Sequence, residues 1–196
     1  MADSYYKVKY GREFTPGKGL PTISTDLDSV RAYQFEIRFT GVPSDVTNSQ
    51  DFTLAAKKVT GIEMSSEAIA VDRVNDKVFY PGKVTPGDLV VTFDNLYLRE
   101  TASDLWRYFK STYDPITGEI TKNSQPGGGA GNTFKSERVE IIQLDNVLNP
   151  HSTVELYGVW PTKWSAAEFN YGTNDFHTID VTFKYDFMQQ YDYINP

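Results

Sequence analysis

The sequence predicts an antiparallel β-sandwich or barrel with one packed helix. Three observations carry this reading. Aromatic residues make up 14% of the chain, with 13 Tyr and 12 Phe, and these residue types favour pleated, half-buried surfaces. Several stretches alternate apolar and polar residues with period two. Gly and Pro punctuate the chain between those stretches. With 196 residues, 39% hydrophobic and 23% charged, the chain is long enough for one sizeable core.

The first 28 residues read as an extended arm. Gly11, Pro16, Gly17, Gly19 and Pro21 interrupt any regular element, while Tyr5, Tyr6, Tyr10 and Phe14 supply apolar surface with no core of their own. Such an arm is expected to pack on a neighbouring subunit. Residues 29–190 form the β domain, and 191–196 are a short C-terminal tail. Within the domain, Tyr33, Phe35, Ile37 and Phe39 alternate with polar residues until Gly41-Val42-Pro43 ends the strand. Asp51–Thr60 is a weaker strand candidate. Ile62–Pro81 carries Ile69, Val71, Val74 and Val78 as single apolar residues among charges, the pattern of a long, exposed hairpin. Leu89, Val91 and Phe93 form one face of the next strand.

One helix is signalled. Thr101-Ala102-Ser103-Asp104 has capping-box form. Leu105, Trp106, Phe109 and Tyr113 then fall on one helical face, and Asp114-Pro115 stops the run. A loop insertion spans about 113–134 and holds Gly127, Gly128 and Gly129. Strands resume at Lys135–Leu144, Thr153–Trp160 and Thr178–Phe187. Pro161 cannot donate to a ladder, so it marks an edge, a bulge or a strand end.

Candidate chemistry is sparse. The chain has no cysteine and a formal charge of −7. Disulfides, thiolate metal sites and cysteine nucleophiles are excluded. The acidic balance disfavours a dedicated nucleic-acid or anionic-membrane binder. No apolar run reaches the length of a membrane span. The glycine run at 127–131 lacks the Lys-Ser/Thr ending of a phosphate loop. His151 and His177 are far apart in sequence, and Asp175 near His177 makes a His–carboxylate pair conceivable. No catalytic residue, metal or cofactor is expected.

One block is more specific. Val154-Glu155-Leu156-Tyr157-Gly158-Val159-Trp160-Pro161-Thr162 resembles the strand-Gly-x-Trp-Pro-Thr signature of T4-like contractile-phage tail tube proteins. The turn at Tyr171–Asp175 and the strand Thr178–Phe187 continue the match. Tyr33–Ile37, Gly87–Asn95 and Trp106 fit earlier blocks, so the resemblance covers about residues 30–188. The arm and the 113–134 segment look longer than in compact members.

The resemblance implies a structural protein of a virion tail, assembled in a host cytoplasm. Six subunits would form a ring, each giving strands to an inner β-barrel, and rings would stack into a tube. The implied partners are further copies of itself, sheath protein, baseplate or tube initiator, tape measure protein and tail terminator. DNA would pass through the lumen without specific binding, and an acidic lumen would discourage sticking. Within this frame the exposed hairpin is the candidate inter-ring contact, through Ile69, Val71, Asp72, Arg73, Val74 and Lys77. Gly127–Gly129 are candidate sheath contacts, and Gly158, Trp160, Pro161 and Thr162 are the signature residues. A baseplate tube initiator or the inner tube of a contractile injection system is the near alternative. A carbohydrate-binding β-sandwich is the alternative from another class.

Overall fold

The computed structural model describes residues 12–13, 22–23, 31–44, 46, 48–120, 134–145, 148–172 and 174–192. Most of the expected arm, the 121–133 part of the insertion with Gly127–Gly129, and residues 193–196 of the tail lie outside these described residues. From residues 1–28 only the short antiparallel pair β1 (Arg12–Glu13) and β2 (Thr22–Ile23) is described.

The body is a bent antiparallel sheet folded over on itself. Its strands are β3 (Phe35–Thr40), β4 (Ala56–Thr60), β7 (Leu89–Asp94), β8 (Ser136–Leu144), β9 (Pro150–Ala166), β10 (Thr178–Lys184) and β11 (Phe187–Asp192). The order is β3-β8-β9-β10-β7-β4, with β11 also pairing β9. Strand β9 is 17 residues long and belongs to both layers. Its first half pairs β8 and β11; its second half pairs β10. Two four-stranded layers result, β3-β8-β9-β11 and β9-β10-β7-β4.

The period-two residues meet between these layers. Ile37, Val139 and Leu156 from one layer and Val91, Phe93, Val181 and Phe183 from the other are almost fully buried. The Phe39 ring lies 6.3 Å from Phe93 and 5.8 Å from Phe183, so the layers touch face to face. At roughly 1.5–3 kcal/mol for each large apolar side chain buried, this interior dominates the stability of the fold.

There are two described helices where the sequence signalled one. Residues expected as part of a weak strand form α1 (Ser49–Ala55), and β4 begins only at Ala56. Phe52 and Ala55, three apart, present one buried face. The Phe52 ring meets Phe39 edge-on at 5.4 Å. Helical spacing in so short a run is read only when a partner surface selects it.

Helix α2 spans Thr101–Lys110, as expected in position but not in detail. Glu100 is the N-cap, in left-handed geometry, and makes no side-chain cap bond. Thr101 is buried instead, and Asp104 accepts from Arg107 at 2.8 Å. The buried face is Thr101, Asp104, Leu105 and Tyr108. Tyr108 is its anchor: the phenol donates to the Val159 carbonyl at 2.7 Å and lies 2.5 Å from Ser136 Oγ. Burial pushes its ionisation well above the usual tyrosine range. Trp106, assigned by periodicity to the core face, is 40% exposed and stacks on Phe109.

The last expected strand is split. Ile179, Val181, Phe183 and Tyr185 are buried as predicted. At Asp186 the chain jogs: its N–H donates to the Tyr157 carbonyl, and its carboxylate takes Lys135 Nζ at 2.8 Å. Phe187 therefore turns outward and stacks on Tyr157 at 4.7 Å.

Candidate functional site

Among the described residues, no cleft gathers converging acid–base groups. The distinctive geometry of the molecule lies in one exposed ribbon, one bend and two open sheet faces.

The ribbon is the hairpin β5 (Met64–Asp72) and β6 (Lys77–Pro86). It runs five residues past the expected end at Pro81, because a bulge between Ser66 and Ala68 carries the ladder through Pro81-Gly82. Gly82 is required there: a Cβ would fall 2.4 Å from the Glu67 carbonyl oxygen. Among the described residues, β5 and β6 pair only with each other. Every residue of β5 is exposed. Ile69, Val71, Phe79, Tyr80 and Val84 are 44–65% exposed, and Val74 at the tip is 98% exposed. Of the six predicted contact residues, Val71 and Ile69 oppose Val78 and Tyr80, while Asp72 opposes and ion-pairs with Lys77 at 3.2 Å. Arg73 closes the turn, its N–H donating to the Asp76 carbonyl at 2.8 Å. The hairpin is joined to the body at its base, where the Tyr185 hydroxyl donates to the Glu63 carbonyl.

The signature residues build the bend in β9. Gly158 has φ +66°, a left-handed conformation that side chains resist. It sits where β9 passes from its β8/β11 partners to β10. Trp160 meets Phe134 edge-on at 6.0 Å. Pro161 opposes Phe183 beside a bulge at Thr182/Phe183, and Thr162 Oγ1 donates to the Thr182 carbonyl at 3.1 Å. Of the three readings open for Pro161, the structure has a bulge on a strand edge, and the strand continues to Ala166.

The outer faces of the two layers differ. On β3-β8-β9-β11, Arg38 pairs with Glu36 at 2.8 Å. Arg138 pairs with Glu140 and Glu155 at 3.1 and 3.3 Å, and Tyr157 donates to Glu155 at 2.5 Å. That hydrogen bond holds the Tyr157 ionisation above its usual range. A cavity of about 340 Å³ opens on this face, lined by Glu36, Arg38, Glu140, Ile142 and Thr153 among others. On β9-β10-β7-β4 the outward residues include Lys58, Thr60, Thr92, Asp180, Thr182 and Lys163, by alternation with the buried set. Thr92 donates to Asp180 at 2.6 Å.

The histidines do not converge on a metal. His177 stacks on Phe169 at 4.4 Å and contacts Asn95 rather than Asp175 through Nδ1, at 3.4 Å. His151 is exposed near the start of β9. Among the described residues, no group of three or more His, Asp or Glu is placed to hold a metal ion.

The family model described as T4-like virus tail tube protein gp19 matches residues 31–189. The chain belongs to that family. It is a structural subunit of an inner tube. The matched span coincides with the bent sheet, both described helices, the hairpin and the β9 bend. No curated protein matches the sequence. Among solved structures, a chain of the sheath-tube complex of an extracellular contractile injection system, PVC, in its extended state is similar at 14% identity and TM-score 0.61, over 87% of this chain and 99% of that one. A chain from the baseplate of the anti-feeding prophage is 17% identical with TM-score 0.61, over 84% and 97%. A chain from that prophage's tube-terminating cap is 12% identical with TM-score 0.61, over 91% and 99%. These likenesses establish a shared fold for this chain.

Proposed function

We propose that this protein assembles as hexameric rings that stack into the conduit of a contractile tail. The observation that carries this is the Met64–Pro86 hairpin, exposed along both faces. A lone two-stranded ribbon is at best marginally stable in water, and contiguous exposed apolar surface marks an interaction site. Its strands leave the body at one end of β7. Ile69, Val71, Asp72, Arg73, Val74 and Lys77 would meet the next ring, the valines and isoleucine by burial and the charged turn by setting register. A contact between one end of a subunit and a different surface of the next is heterologous, and repeats without limit unless it closes. That is the symmetry of a tube.

In this reading the sheath sits outside, the baseplate or initiator nucleates the first ring, a terminator ends the last, and a tape measure sets length. DNA passes through without specific binding. The Gly127–Gly129 loop faces the sheath, and residues 1–28 reach a neighbouring subunit. The protein does no catalysis and uses no cofactor, in keeping with a family of structural tube proteins. The similar solved structures come from injection particles, which favours one second reading: the inner tube of a contractile injection system, carrying cargo other than a genome.

Negative-stain electron microscopy of the purified protein across a concentration series tests the proposal. Rings or hollow tubes of uniform width are expected. A single ring layer that never grows points to an initiator. A subunit that stays monomeric even with baseplate added defeats the assembly reading.

A further inference from the structure

The space between the two sheet layers is filled at one end and open at the other. At the Phe39 end helix α1 plugs it: Phe52 meets Phe39 at 5.4 Å and Phe93 at 5.9 Å. At the end where β3 begins, a trough of about 670 Å³ is left between β4 and the β3-β8-β9-β11 layer. Its floor is apolar, made by Phe35, Val59, Ile62, Ile141 and Val154. Gln34, Gln143 and Gln190 also line it, and the Gln34 side-chain oxygen is buried with no hydrogen-bond partner among the described residues. A buried acceptor without a donor is costly. This lining suits an extended peptide: alternate side chains take the floor, and the amides take the backbone.

The chain carries such a peptide. Tyr6-Lys7-Val8-Lys9-Tyr10 alternates apolar and basic residues with period two. The matched family span begins only at residue 31, so this segment is a feature of the chain's own arm. Its length fits. The trough crosses four strands, from Phe35 on β3 past Ile141 and Val154 to Gln190 on β11. Three strand spacings come to about 14 Å, and Tyr6 to Tyr10 in extended form also spans about 14 Å.

The tether points to the chain's own trough. The arm joins the body at the trough wall, which includes Ala32 and Tyr33. Arg12 pairs with Ile23, and this turns the arm back on itself. The path from Tyr10 to Ala32 is thereby shortened to residues 24–31, a stretch that reaches at most about 29 Å. Short tethers hold a segment at an effective concentration on the order of millimolar. Charge agrees. Residues 1–11 hold Asp3, Lys7 and Lys9, a formal +1, which leaves −7 − 1 = −8 on the rest of the chain. Lys57 and Lys58 border the trough, which leaves the solvent side to Lys7 and Lys9.

We infer that Tyr6–Tyr10 lies across the trough of its own subunit before assembly, with Tyr6, Val8 and Tyr10 inside and Lys7 and Lys9 outside. The arm then has an intramolecular seat ahead of any neighbour it reaches in a ring, and the unassembled subunit keeps this apolar opening covered. The inference goes beyond the ring reading and does not depend on it.

With no native cysteine, introduced thiols report the contact in the unassembled subunit. Val8→Cys should react with a maleimide about tenfold more slowly than Lys7→Cys; equal rates overturn the alternation. Val8→Cys combined with Ile62→Cys, or with Gln190→Cys should the first pair misfold, should be joined within one chain by a short bismaleimide, at a yield unchanged by dilution. No cross-link, or dimers whose yield falls on dilution, overturns the intramolecular seat. Deletion of residues 1–11 should raise the fluorescence of a hydrophobic dye about twofold, and a synthetic peptide of residues 4–11 should reverse the rise. No rise, or an equal rise from Lys7→Ser with Lys9→Ser, overturns the assignment. Every readout precedes assembly, so failure here leaves the ring reading standing, and failure to form rings leaves these readouts unaffected.

Discussion

The folded body and the β5–β6 hairpin are built from similar residues and end in opposite states. Val91 and Val181 in the body are at most 1% exposed, whereas Val71 in the hairpin is 44% exposed and Val74 98%. Both regions have extended backbone and antiparallel ladders, each interrupted by a bulge. The difference is a second layer: the body's apolar face meets another sheet at about aromatic contact distance, and the hairpin meets none among the described residues. The body's stability is therefore intramolecular, and the hairpin's order depends on what covers it. Substitutions should separate the two regions, one through folding and the other through assembly.

The largest folding effect should come from Tyr108→Ala, which empties a fully buried site and strands the Ser136 hydroxyl and the Val159 carbonyl. A loss of about 3–5 kcal/mol is expected by urea unfolding of the unassembled subunit. Tyr108→Phe keeps the ring and should cost about 1–2 kcal/mol, the penalty of losing the buried hydrogen bonds alone. A near-zero loss for Tyr108→Ala would break the claim that the body stands on its own packing. Gly158→Val forces a branched side chain into a left-handed conformation and should cost about 1–3 kcal/mol, with tube yield falling in proportion. Deletion of Ala68–Asp76 should leave the subunit soluble with Tm nearly unchanged, and rings that no longer stack. Normal tubes from that deletion would remove the hairpin from the ring-to-ring contact. The smallest folding effect belongs to Val74→Ser, within about 0.5 kcal/mol. Its readout is the concentration at which tubes first appear, which should rise.

Strict alternation was legible wherever one face is buried. Ile37, Phe39, Val91, Phe93, Val181 and Phe183 were all placed inward by period two, because a one-residue slip would expose the whole set. The exposed hairpin was legible for the opposite reason, its apolar residues being isolated among charges. Helix α1 is not legible in the sequence: it is only about two turns long, Asn48 at its N-cap makes no side-chain cap bond, and packing of Phe52 on Phe39 and Phe93 selects it. Trp106 is half-exposed against its helical periodicity because the helical wheel allows two overlapping apolar faces, and the fit of Tyr108 between the layers picks one. The break at Asp186 was hidden in a run that alternates on paper through Phe187. It is set by Lys135, 51 residues away.

The sequence by itself determined the all-β class, the elements with a repeating buried face, the absence of thiol chemistry and, through Gly158-Val159-Trp160-Pro161-Thr162, the family. Each is a property of neighbours along the chain, where spacing of 2 or 3.6 residues and the stereochemistry of Gly and Pro act locally. Only the tertiary structure decided that β9 serves both layers, which helix face is inside, where the sheet is left with open edges, and how the two outer faces differ in charge. Those follow from contacts between segments tens of residues apart, which the order of residues constrains only through the packing it permits.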